Sequence, residues 1–283
     1  MTLRTTRLPL RALALGAMLS LAAGASAGER LTWGWFNAAP YMIADGPDRN
    51  QGIFDQVRLL LKEKLPGYEH RDVQAPFPRI LQEIKHGQPW CFIGGVKTPE
   101  REQLAYFSLP VAVFLPFKVV VRKDRLAEFG HGDSISLASL LANGTLHSSV
   151  LRGRTFTPSI DALLLQQPIR QYHSEFNEAL QMLLARRLDY LIELPIISTY
   201  SARQMGKDGE LVALTIRENA GITFNRVMCP KTEWGKQVVQ QVDAVLRAER
   251  ASARYRRIVE QWSDEDAVRT IRALYSHQFL QAE

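Results

Sequence analysis

Cysteine is nearly absent from this 283-residue chain, which has two, Cys91 and Cys229. Two thiols are too few for a structural zinc site unless histidines join them, and the six histidines (His70, His86, His131, His147, His173 and His277) fall at no ligand spacing. No metal or cofactor is therefore expected. Two readings of the cysteines stay open: a disulfide, which an oxidising compartment permits, or two separate buried thiols packing as small apolar residues. Beyond the N-terminus no stretch approaches the roughly 20 apolar residues that a membrane-spanning helix needs. Low-complexity tracts and fixed-period repeats are also missing, which argues against a disordered or solenoid chain.

The N-terminus carries the three parts of a secretory signal in order. Arg4, Arg7 and Arg11 form a basic region, residues 12–23 are apolar, and Ala25-Ser26-Ala27 offers small residues to a peptidase. Cleavage after Ala27 is predicted, with export to the periplasm, and no cysteine follows that site to take a lipid anchor. Residues 1–27 hold three of the 35 basic residues and none of the 29 acids, so their removal lowers the formal charge from +6 to +3. A balance so near neutral gives no footprint for nucleic acid. The remaining 256 residues, 28–283, exceed one ordinary domain and suit two lobes.

Short apolar strands alternate with amphipathic helices, the pattern of parallel sheet covered by helices. Strands are predicted over 31–36, 68–73 and 90–93, with helices over 53–64 and 78–85 between them. After a helix start at Thr98-Pro99, residues 117–121 read as a strand crossing to a second lobe. A second alternation follows: helices from Ser136 and over 158–166, 175–187 and 195–205, with strands over 146–151 and 188–193. Residues 221–228 read as the return crossing, followed by three helical segments. The expected division is 28–119 plus 222–283 for the first lobe and 120–221 for the second.

Ligands in open parallel sheets bind beyond the carboxyl ends of strands. Residues 35–41, 94–101, 151–155 and 193–195 lie at such ends, two segments from each lobe, so a site shared by all four sits between the lobes. Arg101 is the leading candidate, because a guanidinium at a helix start adds a two-pronged donor to free backbone N–H groups and suits a carboxylate. Lys97 and Arg79 are further candidate cations, and Thr98 is a candidate cap and donor. In the second lobe, Gly153 permits a turn between Arg152 and Arg154, of which only one is expected to face the cleft easily, and Thr155 offers a hydroxyl. Trp33, Trp35, Phe36 and Tyr41 cluster near the end of the first strand, with Trp35 and Tyr41 the better candidates for an aromatic wall. Glu193 reads either as acceptor for a ligand ammonium or as partner of a cleft arginine.

These residues also carry a resemblance. Pro40-Tyr41, Gln51-Gly52-Ile53-Phe54-Asp55, and Thr98-Pro99-Glu100-Arg101 followed by Phe107-Ser108 together resemble the family 3 extracellular solute-binding proteins, the polar amino-acid group of the type II periplasmic-binding fold. The likeness runs from Leu31 to about Arg122 and more weakly to about Leu194. Within that group the wording from Gly94 to Glu102 is similar to a functionally uncharacterised subgroup. The resemblance implies two α/β lobes, each a mostly parallel sheet flanked by helices, joined by two crossing strands. It implies that Arg101 holds a ligand carboxylate, that residues 153–155 clamp it, and that the lobes rotate about residues 119–121 and 223–226. The chain departs from the pattern at Gly94 and Val96, where serine or threonine donors are common. Leu194 stands where an acid for an α-ammonium is expected.

The function these readings predict is recognition without chemistry: capture of a small anionic organic ligand, an amino acid or related carboxylate, by a monomer that delivers it to an inner-membrane ABC permease. A sensor docking on a membrane receptor and a periplasmic dehydratase of the cyclohexadienyl type are the rival expectations.

Overall fold

The computed structural model describes residues 1–2, 28–130, 132–218 and 221–282. The predicted signal segment and its cleavage site lie outside the described residues, apart from the first two. The chain opens with β1 (Glu29–Trp35), α1 (Ile53–Lys64), β2 (Tyr68–Gln74), α2 (Phe77–Lys85), β3 (Trp90–Val96), the four-residue α3 (Pro99–Glu102) and β4 (Ala105–Phe114). It continues through β5 (Lys118–Arg122), β6 (Ser134–Ile135), α4 (Leu137–Ala142), β7 (Ser149–Leu151), α5 (Pro158–Gln166), β8 (Gln171–His173), α6 (Phe176–Leu184), β9 (Tyr190–Glu193), α7 (Pro195–Gln204) and β10 (Leu211–Ile216). It returns as β11 (Thr223–Pro230) and ends with α8 (Glu233–Glu249), α9 (Ala253–Glu260) and α10 (Glu265–Leu274).

Two separate sheets result. The first has the order β2-β1-β3-β11-β4 and the second β6-β10-β5-β9, with β7 and β8 forming a small parallel pair beside the second. In each sheet one strand runs against the rest, β11 in the first and β5 in the second, and each is the first strand after a crossing. The lobes are thus mostly parallel, as expected, with the reversed strand marking where the chain arrives from the other side.

The two strands read as crossings each belong to one sheet, β5 to the second and β11 to the first. Residues 119–121 are interior to β5, buried and paired to both β10 and β9, and residues 223–226 are laddered within β11. A valine run buried on both faces is what a central strand requires, and Val119–Val121 are fully buried. The chain instead leaves the first sheet at Phe114, the end of β4, and returns to it at Thr223, the start of β11, and β5 belongs wholly to the second sheet. Two strands missed by pattern reading, β4 and β10, flank these crossings. Pro110 inside β4 disguises it, and is tolerated because β4 is the edge of its sheet.

Cys91 on β3 and Cys229 on β11 are joined by a disulfide, with Cα atoms 4.4 Å apart across neighbouring strands. The bond ties an early strand of the first sheet to the strand that returns 138 residues later. No described helix is long and apolar enough to cross a membrane.

Candidate functional site

The carboxyl ends of β1 and β3 face those of β7 and β9 across the seam between the sheets, and the residues just beyond them build the site. Arg101 spans the seam. Its Nη1 donates to the Val96 carbonyl at 3.1 Å on its own side, and its Nη2 donates to the Gly153 carbonyl at 3.0 Å on the other. The guanidinium also lies 5.6 Å from the centre of the Phe77 ring. Burial pulls the Arg101 pKa below its ordinary value, against the long-range attraction of Asp161 and Glu100. A cation held this way, on two neutral carbonyls and a ring face, is a strong donor awaiting a stronger acceptor.

The helix that carries Arg101 contributes less than expected. The α3 segment is a single turn, and Thr98 Oγ1 accepts from the Arg101 backbone N–H at 3.3 Å, so Thr98 acts as a cap. What aims Arg101 is the end of β3. Gly94 there has a positive φ of 112°, and a Cβ on it would lie 2.6 Å from Cε2 of Phe54. The ring of Phe54 fills the space a serine or threonine would occupy, which accounts for the missing side-chain donor.

Arg154 enters from the second lobe and is engaged differently. Its Nη1 and Nη2 donate to Oε2 and Oε1 of Glu193 at 2.6 and 2.7 Å, and Glu193 Oε1 also accepts from the Leu194 N–H at 2.6 Å. The guanidinium lies 5.0 Å from the ring of Phe117, 5.1 Å from Phe156 and 4.9 Å from Phe176. Glu193 therefore takes the second of its two sequence readings, as partner of a cleft arginine. Gly153, at φ 78°, turns the chain between Arg152 and Arg154. Arg154 is sent inward, while Arg152 stays exposed over the Tyr172 ring at 5.2 Å.

Four other sequence candidates lie outside the cleft, or serve it only indirectly. Trp35 sits beneath the Arg58 guanidinium at 5.4 Å, because strand alternation points it away from the face that Phe36 takes. Arg79 is 65% exposed and pairs with Glu83 one helical turn on. Lys97 is 44% exposed and pairs with Glu102 at 2.9 Å. Thr98 is spent on its cap. Tyr41 and Thr155 do line the cleft, together with Arg101 and Arg154.

Pattern reading missed most of the aromatic lining. Phe77 and Phe176 open α2 and α6, Phe54 lies on α1, Phe92 on β3 and Phe114 ends β4. The available signal was position: Phe77 and Phe176 both start helices that follow strand ends. The rings of Phe36 and Phe176 stack across the seam with centres 6.0 Å apart and planes within 6°. Tyr41 packs on Phe54 and Phe114 at 4.9 and 4.8 Å, and burial, reinforced by Glu193, pushes its hydroxyl far above the usual phenol range. A further contact across the seam joins the Tyr200 hydroxyl to Asp48 at 3.2 Å, with the Tyr200 ring edge-on to Trp262.

The space left between Arg101, Arg154 and these rings is about 60 Å³, so a ligand of amino-acid size requires the lobes to part. A larger hollow of about 770 Å³ flanks the first crossing. Its lining carries charges of both signs, Lys118 and Arg203 against Asp264 and Asp266, and so offers an anion no net preference.

Behind the cleft, Ser149 Oγ and His173 Nδ1 lie 2.9 Å apart and tie β7 to β8. Burial pushes the His173 imidazole down to about 4, partly opposed by Glu193. The unfolded chain takes up this proton near pH 6.5, and the folded chain only near pH 4. Its contribution to stability is therefore complete above pH 6.5 and is lost as the pH falls through that window. A thermal melt should fall in midpoint from pH 6.5 to pH 5, ahead of most carboxylates, and His173→Gln should flatten that slope.

No family model matches the chain, and no curated protein matches it. The fold is shared with many solved structures. An amino acid ABC transporter substrate-binding protein from Streptococcus pneumoniae, bound to L-arginine, superposes with a TM-score of 0.64 at 19% identity, over 83% of this chain and 93% of that one. A histidine kinase sensor domain with similarity to periplasmic binding proteins gives 0.66 at 14% identity, over 84% and 97%. An ancestral amino acid-binding protein, a precursor of cyclohexadienyl dehydratase, gives 0.64 at 19%, over 83% and 96%. The chain has the two-lobed fold of the periplasmic binding proteins.

Proposed function

We propose that the chain is an exported solute-binding protein that captures a small anionic organic ligand between its lobes and delivers it to an ABC-type permease. The observation that carries this reading is Arg101, which reaches across the seam between two sheets and rests on neutral acceptors only. A carboxylate offered to that guanidinium replaces a carbonyl with a charged, two-pronged acceptor. Because the contact forms best when both lobes surround it, ligand shifts the population toward closure of the two lobes. Recognition without turnover is preferred because Glu193, the carboxylate behind the cleft, has both oxygens committed to Arg154.

The same fold occurs in a sensor domain, and its binding chemistry would be identical. The distinction lies in what reads the outer faces of the lobes. A thermal-shift screen of amino acids, dicarboxylates and aromatic acids tests the binding step. A ligand at a hundred times its dissociation constant adds about 2.7 kcal/mol of stability and raises the melting midpoint. Stabilisation by at least one carboxylate is expected, and none by any anion would contradict the reading. Loss of uptake of that ligand on deletion supports transport; unchanged uptake favours the sensor.

A further inference from the structure

We infer that the cleft is built for a planar, unsaturated monocarboxylate without an α-ammonium group, in preference to an α-amino acid. The inference rests on the carboxylate-binding reading of Arg101 and adds the shape and charge of what that carboxylate belongs to.

Charge comes first. Among the described residues Arg101 has no carboxylate within ion-pair distance, Asp161 and Glu100 acting on it only from further away. Arg154 is neutralised by the two-pronged pair with Glu193. The closed cleft thus holds one uncompensated positive charge. A monoanion balances it, whereas a dianion leaves one negative charge buried without a partner. A zwitterion has the converse defect. Once its carboxylate has taken Arg101, its ammonium needs a second anion, and the charge of Glu193 is already balanced by Arg154. Neutral carbonyls alone leave a full charge in an apolar space. The ring faces of Phe77 and Phe176 each already carry a guanidinium, 5.6 and 4.9 Å away, and so disfavour a second cation beside them.

Shape comes second. Phe36 from the first lobe and Phe176 from the second meet with planes within 6° and centres 6.0 Å apart. Two aromatic faces held parallel, one on each moving body, form a slot. A flat ligand between them needs about 7 Å between the ring planes, two carbon–carbon contacts of about 3.5 Å, so it enters as the lobes part and the two parallel faces then close on it. A puckered saturated ring is thicker and forfeits the face contact. Phe77 connects the slot to the charge, lying 5.5 Å from the Phe36 ring and 5.6 Å from the Arg101 guanidinium. On the other side, the Arg154–Glu193 pair keeps Phe176 in place, so the slot is organised in advance.

Calorimetric titration of the purified protein tests this with matched pairs. Benzoate is compared with cyclohexanecarboxylate, and trans-cinnamate with L-phenylalanine, with glutarate as the dianion. The planar acid is expected to bind at least about tenfold more tightly than its saturated counterpart. It should bind about a hundredfold more tightly than the amino acid or the dianion. Phe176→Leu, checked for folding by circular dichroism, should abolish the preference for benzoate over cyclohexanecarboxylate. An amino acid or glutarate that binds as tightly as any planar acid overturns this inference and leaves the proposed function standing. Equal affinity for benzoate and cyclohexanecarboxylate overturns the slot. If no carboxylate binds, both readings fall together.

Discussion

Arg101→Ala is expected to weaken ligand binding by about 2 to 5 kcal/mol, or roughly thirtyfold to several thousandfold in dissociation constant. The size follows from where the charge sits. Arg101 is buried enough that desolvation lowers its pKa, and its polar contacts in the closed form are the neutral carbonyls of Val96 and Gly153. Arg101 is half-buried, so solvent screens its interaction with an anion only in part, and among the described residues no neighbouring cation compensates the loss. Lys97, the nearest cation in sequence, is exposed and paired with Glu102. Arg101→Lys keeps the charge but lacks the planar fork, so an intermediate loss is expected. Calorimetry on both variants checks this, and an affinity unchanged by Arg101→Ala removes the residue from the site.

The second large effect concerns stability. Arg154→Met alone, or Glu193→Leu alone, should cost about 3 to 5 kcal/mol, because each leaves the other charge buried without its partner. The side chains are 9% and 6% exposed, and water cannot readily take the place of the lost member. The double variant should recover most of the loss, since two apolar side chains leave no orphaned charge behind in a cavity walled by Phe117, Phe156 and Phe176. Denaturant unfolding of the three variants measures both. Additive single losses in the double variant would mean that the two residues do not act as a pair.

The alternation of strands and helices in the first lobe was legible in the sequence because each element is bounded by its own local signal. Pro66-Gly67 closes α1, and Thr98 followed by proline opens α3. The crossings were not legible, since strand-forming runs such as Val119-Val120-Val121 look alike whether a strand lies in a sheet or between sheets. Only the pairing partners decide, and those are distant in sequence. The same holds for the site. Arg101 could be singled out from its place after β3, and its acceptor Gly153, 52 residues later, lies in a segment that was independently a candidate. Which arginine of the second lobe faces inward depended on the φ of Gly153, and the stacking of Phe36 on Phe176 depended on how the two lobes meet. Trp35 and Arg79 lie away from the cleft for a local reason: alternation and helix phase point them to Arg58 and Glu83.

The most direct test of the account is a crystal structure of the protein with the tightest carboxylate from the binding screen. The carboxylate oxygens should lie about 2.7 to 2.9 Å from the Arg101 guanidinium, in place of the Gly153 carbonyl. A ligand seated in the larger hollow beside residues 115–118, with Arg101 still bonded to Gly153, would contradict it.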